Sequence, residues 1–385
     1  MLKRMMPGLL LAWLVTVIPF AGAQSSHDEL SSEQIASFDT TVLIHSVTNQ
    51  PVMAWSPDGT RVALVTEAGD LQLWDVASES LLVSFMDLGA TAVDFSADGT
   101  QLAVAGEVVL IVPVDKMIAY GDLDTSGSQA ALEAGLFHMA MPNAEDYSRL
   151  VYNADAGLLL TFERAQPSEV LIWDVREKLD PSTLAAGTFA PPPSVDVFTA
   201  DGGIIYEPGS FAASDNGFYG LMIDGANGVM RIELIPDFEA GTVTSTPAGA
   251  TLPLIVSDRA VADLSADGST VMISDGTTAT IYDAVSGEAP MSFDAPAEAN
   301  ARIFLSQSGR YALRAMGGAS LTLTLFDTAT DTGMEGYPSV TPRLSISPDG
   351  TRFFGVSMMM GDDGPTFVPG VFAMGGVEPD AGATT

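Results

Sequence analysis

One short segment of the chain places oxygen-bearing side chains at spacings that suit a hard metal ion. In DLDTSGSQAALE, residues 122–133, four such side chains fall at the first, third, fifth and last positions of a twelve-residue loop: Asp122, Asp124, Ser126 and Glu133. Clustered carboxylate and hydroxyl oxygens are the ligands that Ca²⁺ prefers, and Gly127 permits the sharp bend that such a loop requires. The segment therefore predicts a candidate calcium site, and calcium is the only cofactor that the sequence suggests.

The spacing of these side chains resembles that of the EF-hand calcium loop, with two departures. EF-hand proteins normally have an aliphatic residue where this chain has Gln129, and the preceding VPVDKMIAYG indicates a strand rather than an entering helix. In the alternative interpretation, a side chain within 124–126 caps a surface helix that runs from about residue 128 to 141, and Glu133 is simply solvated. Both interpretations remain open from the sequence.

Residues suited to catalysis do not form a recognisable set. A Ser-His-Asp triad needs a suitably placed histidine, but the chain contains only His27, His45 and His138, and no G-x-S-x-G segment. The absence of cysteine excludes a thiol nucleophile and thiolate metal sites. Carboxylates are abundant, so glycosidase-like or calcium-assisted chemistry stays open, although no spacing selects a pair. We therefore assign no catalytic or cofactor-binding residue and favour a protein that is not an enzyme.

A repeated turn sequence shows which elements must position any site. SPDGTR occurs at 56–61 and again at 347–352, and looser copies begin at Ser96, Asn153, Ser214, Ser265 and Ser306. The interval is 40 residues from Ser56 to Ser96 and 41 residues from Ser265 to Ser306 and from Ser306 to Ser347. In such a turn, proline presets the backbone angle, aspartate tolerates the bridge conformation and glycine takes the left-handed position that closes a hairpin. Each copy therefore predicts a link between two antiparallel strands.

A second sequence mark recurs in phase with the repeated turn, which is the first mark. An aromatic residue followed by aspartate ends an alternating apolar run after most of the turns, at Trp74-Asp75, Trp173-Asp174, Tyr282-Asp283 and Phe326-Asp327. Between the marks lie short apolar strands and few helical stretches, which is typical of stacked β units rather than of a helical repeat. Two marks in phase indicate one supersecondary unit that recurs along the chain.

SPDGTRVALVTEAGDLQLWDVASES is similar to one repeat of the WD40 and PD40-like β-propellers, and the resemblance covers residues 41–375. It implies an all-β fold: a single propeller of seven four-stranded blades, or alternatively eight, with a short helical insertion at 119–148 between blades two and three. The glycine-histidine pair of typical WD40 repeats is missing, which favours the bacterial exported relatives. The seven blades are expected near residues 53–86, 91–118, 149–180, 211–245, 260–294, 301–335 and 342–374.

Three further expectations concern the segments at the two ends of the predicted propeller. The segment TVLIHSVT at 41–48 alternates like a strand, so we expect it to complete the last blade and leave no open sheet edge. Residues 24–40 are polar and predict a flexible lead, and residues 376–385 predict a disordered tail.

The first residues, MLKRMMPGLLLAWLVTVIPFAGAQ, have the pattern of a secretory signal peptide. Lys3 and Arg4 form the basic start, an apolar run follows, and small residues precede Gln24. The run is shorter than the roughly 20 residues that a spanning helix needs, and Pro19 interrupts it. Residues 1–23 are therefore predicted to be removed, and the mature chain is expected in the periplasm or outside the cell, with no integral membrane segment.

The charge balance limits the class of partner. The chain has 49 acidic and 15 basic residues, a net charge of −34. Such a chain is repelled by phosphate backbones, so nucleic acid is excluded as a partner. We expect a monomeric, exported, non-enzymatic scaffold that binds a protein, a peptide or an envelope component. The alternatives are a lactonase-like or quinoprotein-like propeller enzyme with a carboxylate-held metal in its channel, and a calcium-stabilised surface protein.

Overall fold

The structure of the chain is a computed structural model. It describes residues 28–29, 31–40, 42–43, 51–106, 108–121, 138–142, 147–163, 170–177, 192–197, 203–204, 210–224, 228–253, 261–275, 277–294, 301–316, 322–336, 344–361, 364–375 and 377. The candidate calcium loop at 122–133, the signal segment and the C-terminal tail lie outside these ranges, except for residue 377.

The described residues form seven separate sheets and one short helix. In chain order the elements are β1 (Asp28–Glu29), β2 (Ser31–Ser37), β3 (Met53–Trp55), β4 (Arg61–Val65), β5 (Leu71–Asp75), β6 (Ser80–Phe85), β7 (Ala92–Phe95), β8 (Gln101–Ala105), β9 (Val108–Pro113), α1 (Val114–Tyr120), β10 (His138–Pro142), β11 (Tyr147–Asn153), β12 (Leu158–Glu163), β13 (Val170–Asp174), β14 (Ser194–Asp196), β15 (Gly203–Ile204), β16 (Phe211–Ala213), β17 (Phe218–Asp224), β18 (Gly228–Asp237), β19 (Thr242–Leu252), β20 (Val261–Leu264), β21 (Thr270–Ser274), β22 (Thr278–Asp283), β23 (Met291–Asp294), β24 (Ala301–Leu305), β25 (Tyr311–Met316), β26 (Thr322–Asp327), β27 (Thr332–Gly336), β28 (Ser345–Ile346), β29 (Arg352–Gly361) and β30 (Gly364–Gly375).

Each sheet is one blade of a propeller. Blades one, two, three and five are the antiparallel sets β3–β6, β7–β10, β11–β14 and β20–β23, each paired in chain order. In blade four, β15 and β16 both pair with β17, followed by β18 and β19. Blade six is β24–β27 with β1 added in parallel, and blade seven is β28–β30 with β2. The all-β fold and the seven blades are confirmed, and the eight-blade alternative is wrong.

The strand that closes the ring is β2, ten residues earlier than expected. It pairs antiparallel with β30, from Ser31 opposite Gly375 to Ser37 opposite Gly370. The prediction that 41–48 completes the last blade is wrong, because Leu43 instead exchanges backbone hydrogen bonds with the strand region of blade one. Residues 31–37, part of the flexible lead predicted for 24–40, form the strand β2. The sequence SSEQIAS is polar because an outer strand keeps much of its surface in water.

The core is divided among the seven contacts between neighbouring blades. Within the described residues, one cluster of buried apolar side chains lies at each contact, including the contact between blade seven and blade one. At the contact between blades five and six, the rings of Phe293 and Phe326 stack with their centroids 3.8 Å apart. At the closing contact, the fully buried Phe38 packs on Trp74 at 4.8 Å and on Phe354 at 6.3 Å. The ring is therefore closed by apolar packing as well as by β2.

The short helix predicted between blades two and three is present, at Val114–Tyr120. It lies within VPVDKMIAYG, so the strand predicted for that segment is wrong after Pro113, where β9 ends. Val114 and Met117 lie one turn apart and are buried against the cluster between blades one and two, which explains why this sequence is helical rather than extended. The helix extending to residue 141 is wrong at its end, because His138–Pro142 forms the fourth strand of blade two. Blade two needs that strand to cover the outer edge of β9.

The repeated turn owes its shape to its serine and aspartate. In the blade-one turn, the Ser56 hydroxyl donates to Asp58 at 2.6 Å and accepts the Arg61 N–H at 2.9 Å, while the Thr60 N–H donates to Asp58 at 3.0 Å. Gly59 has a φ of 67°, the left-handed conformation predicted for it. The same bonds recur at Ser96, Ser265 and Ser347, which explains why the motif is repeated.

The turn serine should contribute more to the free energy of unfolding than its small side chain suggests. Ser96 is fully buried, its hydroxyl donates to Asp98 and it accepts the N–H of Gln101. We expect Ser96→Ala to lower the free energy of unfolding by about 1–2 kcal/mol, because a buried N–H loses its acceptor. The control is Ser78→Ala, which removes an exposed hydroxyl bonded to Asp75 and should cost under about 0.5 kcal/mol. Urea unfolding would measure both, and an equal loss in the two variants would contradict the expectation.

Candidate functional site in the central channel

The first strand of each blade lies at the inner edge of its sheet. In blade four the strand in this place is β16, and the inner strands of consecutive blades contact one another in the order β3, β7, β11, β16, β20, β24 and β28. Each pairs within its own blade only with the strand that follows it, so its other edge faces the axis. Side chains of these strands that reach the free edge therefore border a central channel.

Four charged side chains lie on these inner strands; Arg302 on β24 is exposed, and the other three are more enclosed by protein. Asp94 is on β7, Arg149 is on β11 and Asp263 is on β20. Each aspartate comes two residues before its turn serine, and Arg149 comes four residues before Asn153, which occupies the same place in its blade. At about 3.3 Å per residue, the two aspartates share one level of the channel, and Arg149 begins roughly 7 Å farther from the turns.

Each aspartate binds the inner strand of the next blade. Asp94 Oδ2 accepts the backbone N–H of Tyr152 in blade three at 2.9 Å, and Asp263 Oδ2 accepts that of Leu305 in blade six at 3.0 Å. These donors lie on strand edges that have no further strand to pair with, and a buried N–H without an acceptor is costly. The carboxylates thus join neighbouring blades at the channel wall.

The enclosure of these side chains shifts their titration. Each keeps some accessible surface, as a group at the wall of a narrow channel should, but protein surrounds it on most sides. Burial raises the pKa of Asp94 and of Asp263 to about 6, against the opposing effects of the backbone N–H donors and of Arg149. Holding both groups ionised at neutral pH therefore lowers the stability of the fold.

Arg149 interacts electrostatically with both aspartates. Burial lowers its pKa, and the charges of Asp263 and then Asp94 oppose that shift. Blade five is not adjacent to blade three, so an electrostatic interaction between Arg149 and Asp263 has to pass across the axis. Among the described residues, neither carboxylate is in ion-pair contact with Arg149 and no acceptor bonds its guanidinium, whose carbon lies 6.0 Å from the centre of the Phe162 ring.

One face of the ring is made rigid by contacts between successive turns. Arg352 in blade seven donates to the carbonyl of Gly59 in blade one at 2.9 Å, and Asn153 donates to the carbonyl of Ser214 in blade four at 2.7 Å. The Ala266 N–H of blade five likewise donates to a blade-six turn at 2.8 Å. The turn residues on this face are thus largely occupied in holding blade to blade.

The candidate calcium ligands Asp122, Asp124, Ser126 and Glu133 lie outside the described residues. Within the part of the chain that the structure describes, no three histidine, aspartate or glutamate side chains come together in a group that could hold a metal ion. No helix in that part has the length and apolar composition needed to span a membrane. The calcium prediction therefore remains a prediction.

The three channel residues were not singled out from the sequence, although part of the signal was present. AVDFS and VADLS each place an aspartate in an apolar strand just before a turn serine, where the other blades have an apolar or small residue. A charge at such a position breaks the strand pattern and could have been noticed. That Arg149 faces these two aspartates depends on ring closure, which no local pattern reveals.

Comparisons with known proteins do not add a family. No protein-family model matches the chain, and no curated protein matches it. Among solved structures, it is similar to the crystal structure of the Cps50 (Swd1) β-propeller domain of Myceliophteria thermophila. The two share 10% sequence identity with a TM-score of 0.49 over 90% of this chain and 99% of that one. By its own sheet topology, the chain is a seven-bladed β-propeller.

Proposed function

We propose that this protein is an exported, non-enzymatic propeller that binds a protein or peptide at the mouth of its central channel. The observation that supports it best is the set of channel charges at Asp94, Arg149 and Asp263. Two carboxylates are kept in surroundings that raise their pKa to about 6, beside a guanidinium without an ion-pair partner in the described residues. Charges held at a cost to stability are typical of binding sites.

The same geometry favours binding over chemistry. Asp263 accepts the N–H of Leu305 with one oxygen and that of Leu264 with the other, so each of its oxygens already holds part of the wall. Arg149 places a positive charge beside both carboxylates, which opposes a cation at this level of the channel. These contacts support a binding channel over the lactonase-like or quinoprotein-like enzyme with a carboxylate-held metal.

The test compares the wild type with a channel variant, Asp94→Asn/Arg149→Gln/Asp263→Asn, immobilised and exposed to a cell-envelope extract of the source organism. Bound proteins are identified and quantified by mass spectrometry. The control variant, Asp155→Asn/Asp215→Asn, changes two exposed turn aspartates instead. We expect one partner that is retained by the control and lost by the channel variant. Equal retention by all three proteins would contradict binding at the channel.

Export is the second part of the proposal, and the signal pattern of residues 1–23 supports it. We expect the protein expressed in its source cell to be found outside the cytoplasm with Gln24 as its first residue. Cell fractionation followed by mass spectrometry of the intact protein would measure this. Recovery of a chain that still carries residues 1–23 in the cytoplasmic fraction would contradict it.

Calcium stabilisation is proposed only for the 122–133 segment, on the spacing of its oxygen side chains. If the segment binds calcium in the folded state alone, a calcium concentration of 100 times Kd should add about 2.7 kcal/mol of stability. The melting temperature would be compared in calcium and in chelator, for the wild type and for Asp122→Asn/Glu133→Gln. A wild-type melting temperature unaffected by calcium would remove this proposal and leave the others standing.

A further inference from the structure

We propose that Arg149 binds a carboxylate of a peptide ligand inside the central channel, an inference that rests on the peptide-binding function proposed above. The ligand carboxylate would be either the C-terminus of a chain or the side chain of an aspartate or glutamate. Both sources present the same planar pair of oxygens to the guanidinium.

The first argument is the state of the Arg149 side chain. A guanidinium has five N–H donors in a rigid fork and remains charged in proteins. Two other enclosed arginines of this chain do have acceptors. Arg231 donates to backbone carbonyls, and Arg310 forms an ion pair with Asp327. Arg149 has no such acceptor among the described residues, and its contact with the Phe162 ring leaves the N–H groups free.

The second argument is the arrangement of charge around Arg149. Asp94 and Asp263 are near enough to affect its titration, yet their oxygens are turned to the backbone N–H groups of Tyr152 and Leu305. The carboxylates therefore balance the arginine at a distance without occupying its donors. Nearby carboxylates balance the charge of this guanidinium, but they do not accept its N–H groups. These donors can therefore bind an external planar anion through two parallel hydrogen bonds.

The third argument concerns the kind of anion. The chain carries a net charge of −34, so a ligand with several negative charges would be repelled over long distances. A peptide can bring a single carboxylate together with neutral or basic residues, and so avoids most of this repulsion. This favours a peptide carboxylate over a phosphate-rich ligand.

The test uses three pools of degenerate, fluorescein-labelled octapeptides built without glutamate. The first pool lacks aspartate and ends in a free carboxylate, the second lacks aspartate and ends in an amide, and the third ends in an amide with one aspartate at a fixed central position. Fluorescence anisotropy measures their affinity for the wild type and for Arg149→Gln, Arg149→Lys and Arg302→Gln. Arg302 is the matched control, because it also lies four residues before a turn serine on an inner strand, β24 of blade six.

We expect the wild type to bind one or both carboxylate pools about 10-fold or more tightly than the second pool. Arg149→Gln should abolish this preference, Arg149→Lys should keep part of it, and Arg302→Gln should retain it. Arg149→Lys keeps the charge in place, so it provides the comparison if Arg149→Gln folds poorly by circular dichroism. The pool that is preferred identifies the source of the carboxylate.

Other results would overturn the inference in distinguishable ways. If the wild type binds all three pools equally, peptide binding stands and the role of Arg149 fails. If the preference survives in Arg149→Gln, or is lost equally in Arg302→Gln, the carboxylate binds elsewhere. If no pool binds, the proposed peptide-binding function fails together with the inference.

Discussion

Replacing Ala36 by aspartate should open the ring and lower the free energy of unfolding by about 3–5 kcal/mol. Ala36 is 1% exposed and lies on β2, within the apolar cluster that joins blade seven to blade one. An aspartate there would be an unpaired charge in an apolar contact, and breaking such a buried environment typically costs this much. Denaturant unfolding of the purified protein would measure the loss.

The neighbouring residue provides the control. Ser37 is exposed on the same strand, since successive side chains of a strand point to opposite faces, so Ser37→Asp makes the same charge change without burying it. We expect Ser37→Asp to change stability by less than about 0.5 kcal/mol. A small loss in both variants would show that β2 tolerates a charge on either face, and the closing role assigned to this strand would then be wrong.

This expectation concerns a strand that the sequence alone did not reveal. The SPDGTR turns and the aromatic-aspartate pairs each depend on residues close together in the chain, such as Ser56 with Asp58, so a local pattern was enough to predict the blades. The sequence of β2 is SSEQIAS, with a single large apolar residue, Ile35. Its place is decided by a partner more than 300 residues away, and the more regular alternation at 41–48 was therefore favoured.

The contacts between the channel residues could not be predicted from the sequence for a related reason. The turn motif placed each inner strand correctly, so the positions of Asp94 and Asp263 within their blades could be predicted. What could not be predicted is the acceptor role of Asp94 toward Tyr152, a residue 58 positions away, or the position of Arg149 opposite blade five. Such contacts come from the closed ring and not from any single repeat.

The channel aspartates should make the protein more stable in mild acid than at neutral pH. Burial raises the pKa of both carboxylates from 3.8 to about 6, so between these values the folded chain binds protons that the unfolded chain does not. Their contribution is therefore present below about pH 4, is lost as the pH rises through about 6, and is absent at pH 7.5. Turn aspartates such as Asp58 and Asp98 have lowered pKa values and act in the opposite sense, but only as the pH falls below 3.8. We therefore expect maximal stability near pH 4.

Asp94→Asn/Asp263→Asn should remove this dependence and stabilise the protein at pH 7.5. Asparagine keeps a carbonyl oxygen to accept the N–H groups of Tyr152 and Leu305 but has no charge to desolvate. A shift of about two pKa units corresponds to at most about 3 kcal/mol per residue, and because both side chains keep some contact with water we expect roughly 2–4 kcal/mol for the pair. Urea unfolding at pH 7.5 and pH 4 would show a gain at the higher pH that largely disappears at the lower one. Asp155→Asn/Asp215→Asn makes the same change of charge at exposed turns, so an equal gain in that variant would mean that relief of overall repulsion, and not the channel, is responsible.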